Sequence, residues 1–279
     1  MQVRDHLVSG LTFNIERCRV CGLLFTNPRP GSLEMKKYYQ SPGYISHTDQ
    51  QNSLHGFLYQ TIKKRMAKNK LKLLNKYTQN TEKKLLDYGC GTGDFVLAAH
   101  NEGYESIGYE PAKNAMDRAR QKGAEVLEDE NILFSNHTQY FDVITLWHVL
   151  EHIHNVHEKM QVFYKILKPE AWIVIAVPMA NSADASVYKE HWAALDVPRH
   201  LYHFTPNTLQ NLCEANGFQI VERKGLAFDS FYVSLLSEKY KRKPAALPLS
   251  LYRGLSSNFK AIRKKTPWSS EIFVCQKRA

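Results

Sequence analysis

The feature that most limits how this chain can fold is the run Leu85-Leu86-Asp87-Tyr88-Gly89-Cys90-Gly91-Thr92-Gly93-Asp94. A short apolar segment ends in three alternating glycines, and a helical pattern begins at once. A strand that passes through closely spaced glycines straight into a helix sets bare backbone against a ligand, because glycine has no side chain and tolerates unusual dihedrals. The alternation then continues. Strands are predicted over 105–109, 124–127, 141–146 and 171–177, with helices over 95–102, 112–122 and 159–167. A helix at 208–215, stopped by Gly217, leads to a strand at 218–223, and a last strand covers 271–276. That order implies an α/β fold: a doubly wound, mostly parallel sheet with helices on both faces.

Glu110 follows the second strand, twenty-one residues beyond Gly89. An acid at a strand's carboxyl end can accept hydrogen bonds from both ribose hydroxyls of a nucleoside. A dinucleotide fold also pairs a glycine turn with such an acid, but its fingerprint is GxGxxG set against a pyrophosphate. Here the pattern is DxGxGxG with Asp94 directly after it. Acids at both ends of the turn suit a cofactor with a cationic amino group and a sulfonium better than a pyrophosphate, which they would repel.

On these residues the chain resembles the class I S-adenosylmethionine-dependent methyltransferases. Residues 85–94 look like their first motif and Gly108-Tyr109-Glu110-Pro111 like their second-strand motif. The likeness runs through 141–152 and Leu167-Lys168-Pro169, covering residues 84–225. It implies a Rossmann-like sheet of seven strands with the last one antiparallel. It also implies S-adenosylmethionine as cofactor, with Asp87 near the methionine amino group and Gly89, Gly91 and Gly93 beside the methionine and ribose portions. Glu110 would hold the ribose, Asp129 the adenine amine, and Leu146 and Trp147 would flank the cofactor. Cys90, within the turn, reads as a small turn residue and not as a nucleophile.

Methyl transfer to a hydroxyl needs an in-line approach and a place for the proton, so histidines near the carboxyl ends of the strands are candidates. His148, His152, His154 and His157 follow the fourth strand. His148 is the preferred base. His148, Glu151 and His152 would share a face if helical, an HxxEH set able to bind a divalent metal. The stretch is similar to ubiquinone-type O-methyltransferases, whose ExxEH set is associated with magnesium. With His148 in place of the first glutamate a hard cation is less suited, and no metal is assigned here. The competing reading has Glu151 and His152 bonding to neighbouring backbone.

Residues 192–206 are rich in groups that can bind a polar acceptor, and Thr205 with Pro206 forms a helix start. The Asp196-Val197-Pro198-Arg199-His200 run resembles bacterial methyltransferases associated with sugar and cell-surface polysaccharide genes. By that likeness the acceptor is a small molecule, a sugar or related metabolite. Trp192, Arg199 and His203 are the expected acceptor contacts, with His200 as an alternative base. The competing reading is an internal Asp196–Arg199 pair that fixes the loop.

Cys18-Arg19-Val20-Cys21-Gly22 has zinc-knuckle spacing but lacks a second CxxC, so zinc at Cys18 and Cys21 is left open, with His6 as a distant further donor. The resembling family often begins with two such pairs. Tyr38, Tyr39 and Tyr44 either close as a lid or simply pack. The expected organisation is a partial zinc-ribbon-like or lid segment at 1–50, a helical cap at 51–83, and a cofactor-binding domain at 84–279 with an insertion at 229–270.

Composition narrows the alternatives. The five cysteines are an odd number for a disulfide framework, and reduced thiols are expected. No apolar run reaches membrane-spanning length and the first thirty residues carry charges, so a cytoplasmic protein is expected. The net charge of +10 favours a nucleic-acid methyltransferase as the rival enzyme. Val177-Pro178-Met179, however, does not supply the N/D-P-P-[FYW] signature of many amino-methylating enzymes, so nucleic acid is not the expected partner. The charge is concentrated in runs at 63–72 and 239–265, which read as solvated helix faces. A non-catalytic binding protein is the remaining alternative. The oligomeric state is not legible.

Overall fold

The computed structural model describes residues 1–39, 54–79, 81–241 and 246–278, with side chains of the long helix from residue 64 onward. Tyr44, Arg242, Lys243, Pro244 and the junction expected at 50/51 lie outside the described residues.

The chain begins with strands β1 (Gln2–Arg4), β2 (Thr12–Arg17) and β3 (Leu24–Asn27), then a short helix α1 (Ser32–Met35) and the long helix α2 (Leu54–Tyr77). The alternating part follows as β4 (Lys84–Tyr88), α3 (Asp94–Asn101), β5 (Glu105–Tyr109), α4 (Lys113–Gln121), β6 (Val126–Leu127), α5 (Glu130–Asn136), β7 (Phe141–Trp147), α6 (Val156–Ile166) and β8 (Leu167–Pro178). After it come α7 (Ala183–Tyr188), β9 (Tyr202–His203), α8 (Pro206–Ala215), β10 (Phe218–Gly225), α9 (Asp229–Tyr240), α10 (Ala246–Ile262) and β11 (Ser270–Lys277).

The main sheet has seven strands in the order β10-β11-β8-β7-β4-β5-β6, with β11 antiparallel to both neighbours and the others parallel where they pair. This is the expected doubly wound α/β sheet. Its strand order reverses between β4 and β7, and ligands of such sheets bind outside the carboxyl ends of the strands at that point. Strand β7 is buried from Phe141 to Leu146, as a central parallel strand covered on both faces should be. Strand β8 begins four residues before the expected 171–177, because Leu167 already pairs with Phe141. At the start of α8, Thr205 accepts from the Thr208 amide and Pro206 takes the first helical position.

The N-terminal strands do not stand alone. They form a second sheet, β1-β2-β3-β9, in which Leu24 and Phe25 pair with His203 and Tyr202 of the loop after β8. The Cys18–Cys21 segment is the turn between β2 and β3, closed by the Cys18 amide bonding to the Leu23 carbonyl at 2.9 Å. Helix α2 buries Leu71, Leu73 and Leu74 in the same apolar cluster as Leu85, Phe95 and Val143, so its carboxyl half is part of the core beside β4.

Candidate active site

The three glycines of the β4–α3 turn all have positive φ, +80° at Gly89, +56° at Gly91 and +74° at Gly93, but they serve different ends. A Cβ on Gly89 would lie 2.5 Å from Val149 Cγ2, and one on Gly93 would lie 2.8 Å from the Cβ atoms of both Ala119 and Ala124. Those two glycines let the turn pack. Among the described residues, a Cβ on Gly91 would meet nothing within 4 Å. Its backbone borders open space, the geometry of a cradle for a ligand. Cys90 fills the slot left by Gly108, whose added Cβ would lie 2.5 Å from Cys90 Sγ. Burial, with Asp87 and Glu110 nearby, pushes the Cys90 thiol up and leaves it no nucleophile.

Glu110 is moored to the turn. Its Oε2 accepts from the Gly91 amide at 2.9 Å and its Oε1 from the Ala112 amide at 2.8 Å, and each oxygen keeps a further lone pair. Burial raises its pKa against those two hydrogen bonds. Asp87 is 2% exposed and its Oδ1 accepts from Thr145 Oγ1 at 2.7 Å. Burial lifts its carboxyl to about 6, although the Thr145 bond and the Lys70 charge pull the other way. Lys70 lies with its Nζ 4.0 Å from the Trp147 ring centre, and Phe95 meets the same ring edge-on at 5.4 Å. The buried Trp147 Nε1 has no hydrogen-bond partner among the described residues. A backbone cradle at Gly91, acids at two depths that accept hydrogen bonds, and an indole N–H left to donate match what ribose hydroxyls and an amino-acid tail require, so the residues fit S-adenosylmethionine.

The remaining expected cofactor contacts lie around this turn at different depths. Leu146 is fully buried within the core cluster beneath the sheet edge. Asp129 is exposed and caps α5 by accepting from the Asn131 amide at 2.8 Å. Asp94, the second acid of the turn, accepts from Thr92 Oγ1 and pairs with Lys122 at 2.9 Å, so its charge is met by the protein. Lys70 was hidden in a basic run that read as a solvated face; nothing in the sequence around it marks it as facing Asp87.

The histidines gather around Glu151, which is 1% exposed. His148, at φ +58°, sets Nε2 3.1 Å from Asp229 Oδ2 and Nδ1 3.7 Å from Glu151 Oε1. Burial opposes its charge, but Asp229 and Glu151 outweigh burial and hold His148 at about 10. Those two carboxylates favour the protonated ring and compete with the role of base expected for His148. Asp229 is the partner that spacing could not reveal. His152 sets Nδ1 3.0 Å from both the Arg199 carbonyl and Tyr39 Oη, and burial with the nearby His200 lowers it to about 4. His200 donates from Nδ1 to the Ala194 carbonyl at 2.8 Å, which leaves Nε2 facing Glu151 Oε1 at 3.9 Å. Neither Glu151 oxygen has a hydrogen-bond partner among the described residues, and burial that would raise its carboxyl is overcome by His148 and the other two histidines, which hold it at about 2. Among the described residues, Glu151, His152 and His200 place ligand atoms within 4.8 Å of one another, a group that does not include His148.

Trp192, Arg199 and His203, the expected acceptor contacts, all face inward. Trp192 donates through Nε1 to Asp184 at 2.8 Å. Arg199 is 1% exposed and binds Asp196 at 2.6 Å, Asp5 at 3.0 Å and the Tyr38 carbonyl at 3.2 Å. His203 bonds to Thr26 Oγ1 at 3.1 Å, and burial with His200 nearby lowers it to about 3. The internal Asp196–Arg199 pair is therefore present, extended to Asp5 across the chain. Tyr38 packs edge-on against Phe13. Cys18 and Cys21 join no described group of three metal-binding side chains, and His6 stacks on Tyr240 at 4.3 Å.

A family model described as a methyltransferase domain matches residues 58–223. An uncharacterized methyltransferase of Oceanobacillus iheyensis is 26% identical over 160 residues, 53% of this chain and 75% of that protein. The mitochondrial ubiquinone biosynthesis O-methyltransferase of Rattus norvegicus is 25% identical over 167 residues, 53% of this chain and 48% of the rat protein, so the match spans about half of that enzyme. The crystal structure of a SAM-dependent methyltransferase from Archaeoglobus fulgidus aligns with a TM-score of 0.53 at 18% identity, covering 81% of this chain and 100% of the other, a likeness of fold.

Proposed function

Since the chain belongs to the methyltransferase-domain family and is a class I S-adenosylmethionine-dependent methyltransferase, we propose that it passes the methyl group to a hydroxyl oxygen of a small polar acceptor, a sugar or related metabolite. The observation that carries the site is the open space at Gly91 beside the moored carboxylate of Glu110. Glu110 would hold the ribose hydroxyls, Asp87 would meet the methionine amino group, and Trp147 would flank the cofactor. The bound cofactor supplies an electrophilic methyl on a sulfonium.

Oxygen as the target is supported by the ubiquinone biosynthesis O-methyltransferases among the relatives and by the histidine cluster at the end of β7. The acceptor oxygen attacks the methyl carbon, the carbon–sulfur bond breaks to leave S-adenosylhomocysteine, and the hydroxyl proton passes to the protein. His200 is the base that fits. Its Nδ1 is fixed as donor to Ala194, so the Nε2 lone pair is free to take the proton, and Glu151 steadies the resulting cation. His148, tied to Asp229 and Glu151, helps to position the Glu151 carboxylate beside His200. The sugar reading is supported by the likeness of the Asp196–His200 run, in which Arg199 shapes the loop from within instead of touching the acceptor.

Mass-spectrometric detection of S-adenosylhomocysteine and methylated product across sugar nucleotides, glycans, phenols, amines and RNA tests this. Transfer to a hydroxyl, reduced at least a hundredfold in His200→Ala with cofactor binding kept, is the expected result. Cofactor binding without turnover on any hydroxyl, or methylation of RNA, would overturn it.

A further inference from the structure

Helix α10 is inverted relative to an ordinary surface helix. Its buried face carries Ser250, Gly254, Ser257, Asn258 and Ala261. That face is fastened by polar bonds: Ser257 Oγ donates to Asp184 at 2.8 Å, Asn258 Nδ2 donates to the Ala227 carbonyl at 2.9 Å, and Ser230 Oγ donates to the Gly254 carbonyl at 3.4 Å. A Cβ on Gly254 would lie 2.5 Å from Phe231, so α9 rests on bare backbone there. The outward face carries Leu247, Leu251, Tyr252, Leu255, Phe259 and Ile262, between 49% and 65% exposed. Steps of four and three residues along 247, 251, 255, 259 and 262 put those side chains on one stripe. Phe228 and Tyr232, from α9 and the residue before it, are exposed as well.

A globular protein's helix normally turns its apolar stripe to the core, and a contiguous apolar patch left outside marks a contact surface. The surrounding charge identifies what it contacts. Between Glu238 and Glu271 the sequence has nine lysines and arginines and no acid. Of these, Lys260, Arg263, Lys264 and Lys265 are exposed at the carboxyl end of α10. The Arg263 guanidinium lies 4.3 Å from the Phe259 ring centre, so the positive charge borders the apolar stripe directly.

We propose that α10 seats this protein on an anionic lipid bilayer, its apolar stripe entering the boundary between headgroups and acyl chains and its basic end meeting lipid phosphates. The contact is with the surface: no helix of the described residues is long and apolar enough to cross a membrane. A second copy of this chain suits the face poorly. A two-fold contact would bring identical patches together, and two cationic clusters would meet with no acid in the segment to offset them.

Flotation of the purified full chain with vesicles tests the proposal, comparing phosphatidylcholine alone with phosphatidylcholine containing about 30% phosphatidylglycerol at physiological salt. Binding is expected to the anionic vesicles and to be at least tenfold weaker to the neutral ones. Leu251→Glu with Leu255→Glu should abolish it while leaving the melting temperature unchanged, since both side chains are exposed. Lys264→Ala should weaken it about fivefold, the effect of one basic residue near such a surface. Three results would overturn the proposal. One is no binding to anionic vesicles. Another is binding that survives the paired glutamates, which would indicate a plain polycation. The third is a dimer, seen by light scattering, that the paired glutamates split.

Discussion

The glycine turn after β4 and the loop after β8 lie at the same carboxyl edge of the sheet, yet they use their polar groups in opposite ways. At the turn, among the described residues, Gly91 faces open space, Glu110 keeps lone pairs beyond its two backbone bonds, and Trp147 has a buried N–H with no partner. In the loop, Arg199, Trp192 and His203 all find partners inside the protein, and β9 joins the loop to the N-terminal sheet. A site that must receive a ligand keeps hydrogen-bonding capacity in reserve, whereas a site that must hold a loop consumes it. Arg199 sits in the most chemical-looking run of the chain but serves as a lock between three segments.

That contrast can be broken most forcefully at Arg199. Replacing it by alanine leaves Asp5 and Asp196 without their buried cation and should cost about 3–5 kcal/mol in denaturant unfolding, the usual penalty for breaking a buried pair. A loss below about 1 kcal/mol would mean that the loop is not held this way. At the turn the penalty should fall on binding instead. Glu110→Ala should weaken S-adenosylhomocysteine by ten- to a hundredfold in calorimetry, as expected for hydrogen bonds to a charged group. Equal affinity would remove Glu110 from the site.

Within the turn, Gly89→Ala should destabilise the fold by about 1–3 kcal/mol, because the new methyl overlaps Val149 in an already strained backbone. The smallest effect expected is one of pH. Asp87 titrates near 6, above its ordinary value, so its charge is present above that pH and lost as pH falls through it. The affinity for the cationic amino group should therefore be level above neutral and decline below pH 6, by at most about tenfold per unit. Asp87→Asn should flatten the decline. In the protein without cofactor the sign reverses: the raised pKa makes the ionised carboxylate a cost to the fold, so stability from this group falls as pH rises from 3.8 through 6.

The parts of this arrangement that sequence makes legible are those with local spacing. The glycines, the acid after β5, and the apolar runs of β4, β5 and β7 are each written within a few residues, and the doubly wound, mostly parallel character of the sheet follows from their alternation. What stayed hidden depends on distant pairings that leave no periodic trace. Asp5 meets Arg199 across 194 positions, and β9 is two residues long and takes its pairing from β3. His148 meets Asp229, on a helix after the sixth strand of the sheet, a contact that local spacing does not encode. In α10 the direction that the apolar stripe faces is set by Asp184 and Ala227, which the periodicity of the helix does not encode.

The central claim is that the space at Gly91 belongs to the cofactor. Gly91→Asn tests it most directly, because asparagine tolerates the positive φ of that position and places a side chain only into that space. Calorimetry with S-adenosylhomocysteine, paired with a thermal melt, should show affinity lowered by at least about tenfold with the melting temperature nearly unchanged. Full affinity in a folded Gly91→Asn protein would contradict the assignment of the turn as the cofactor site.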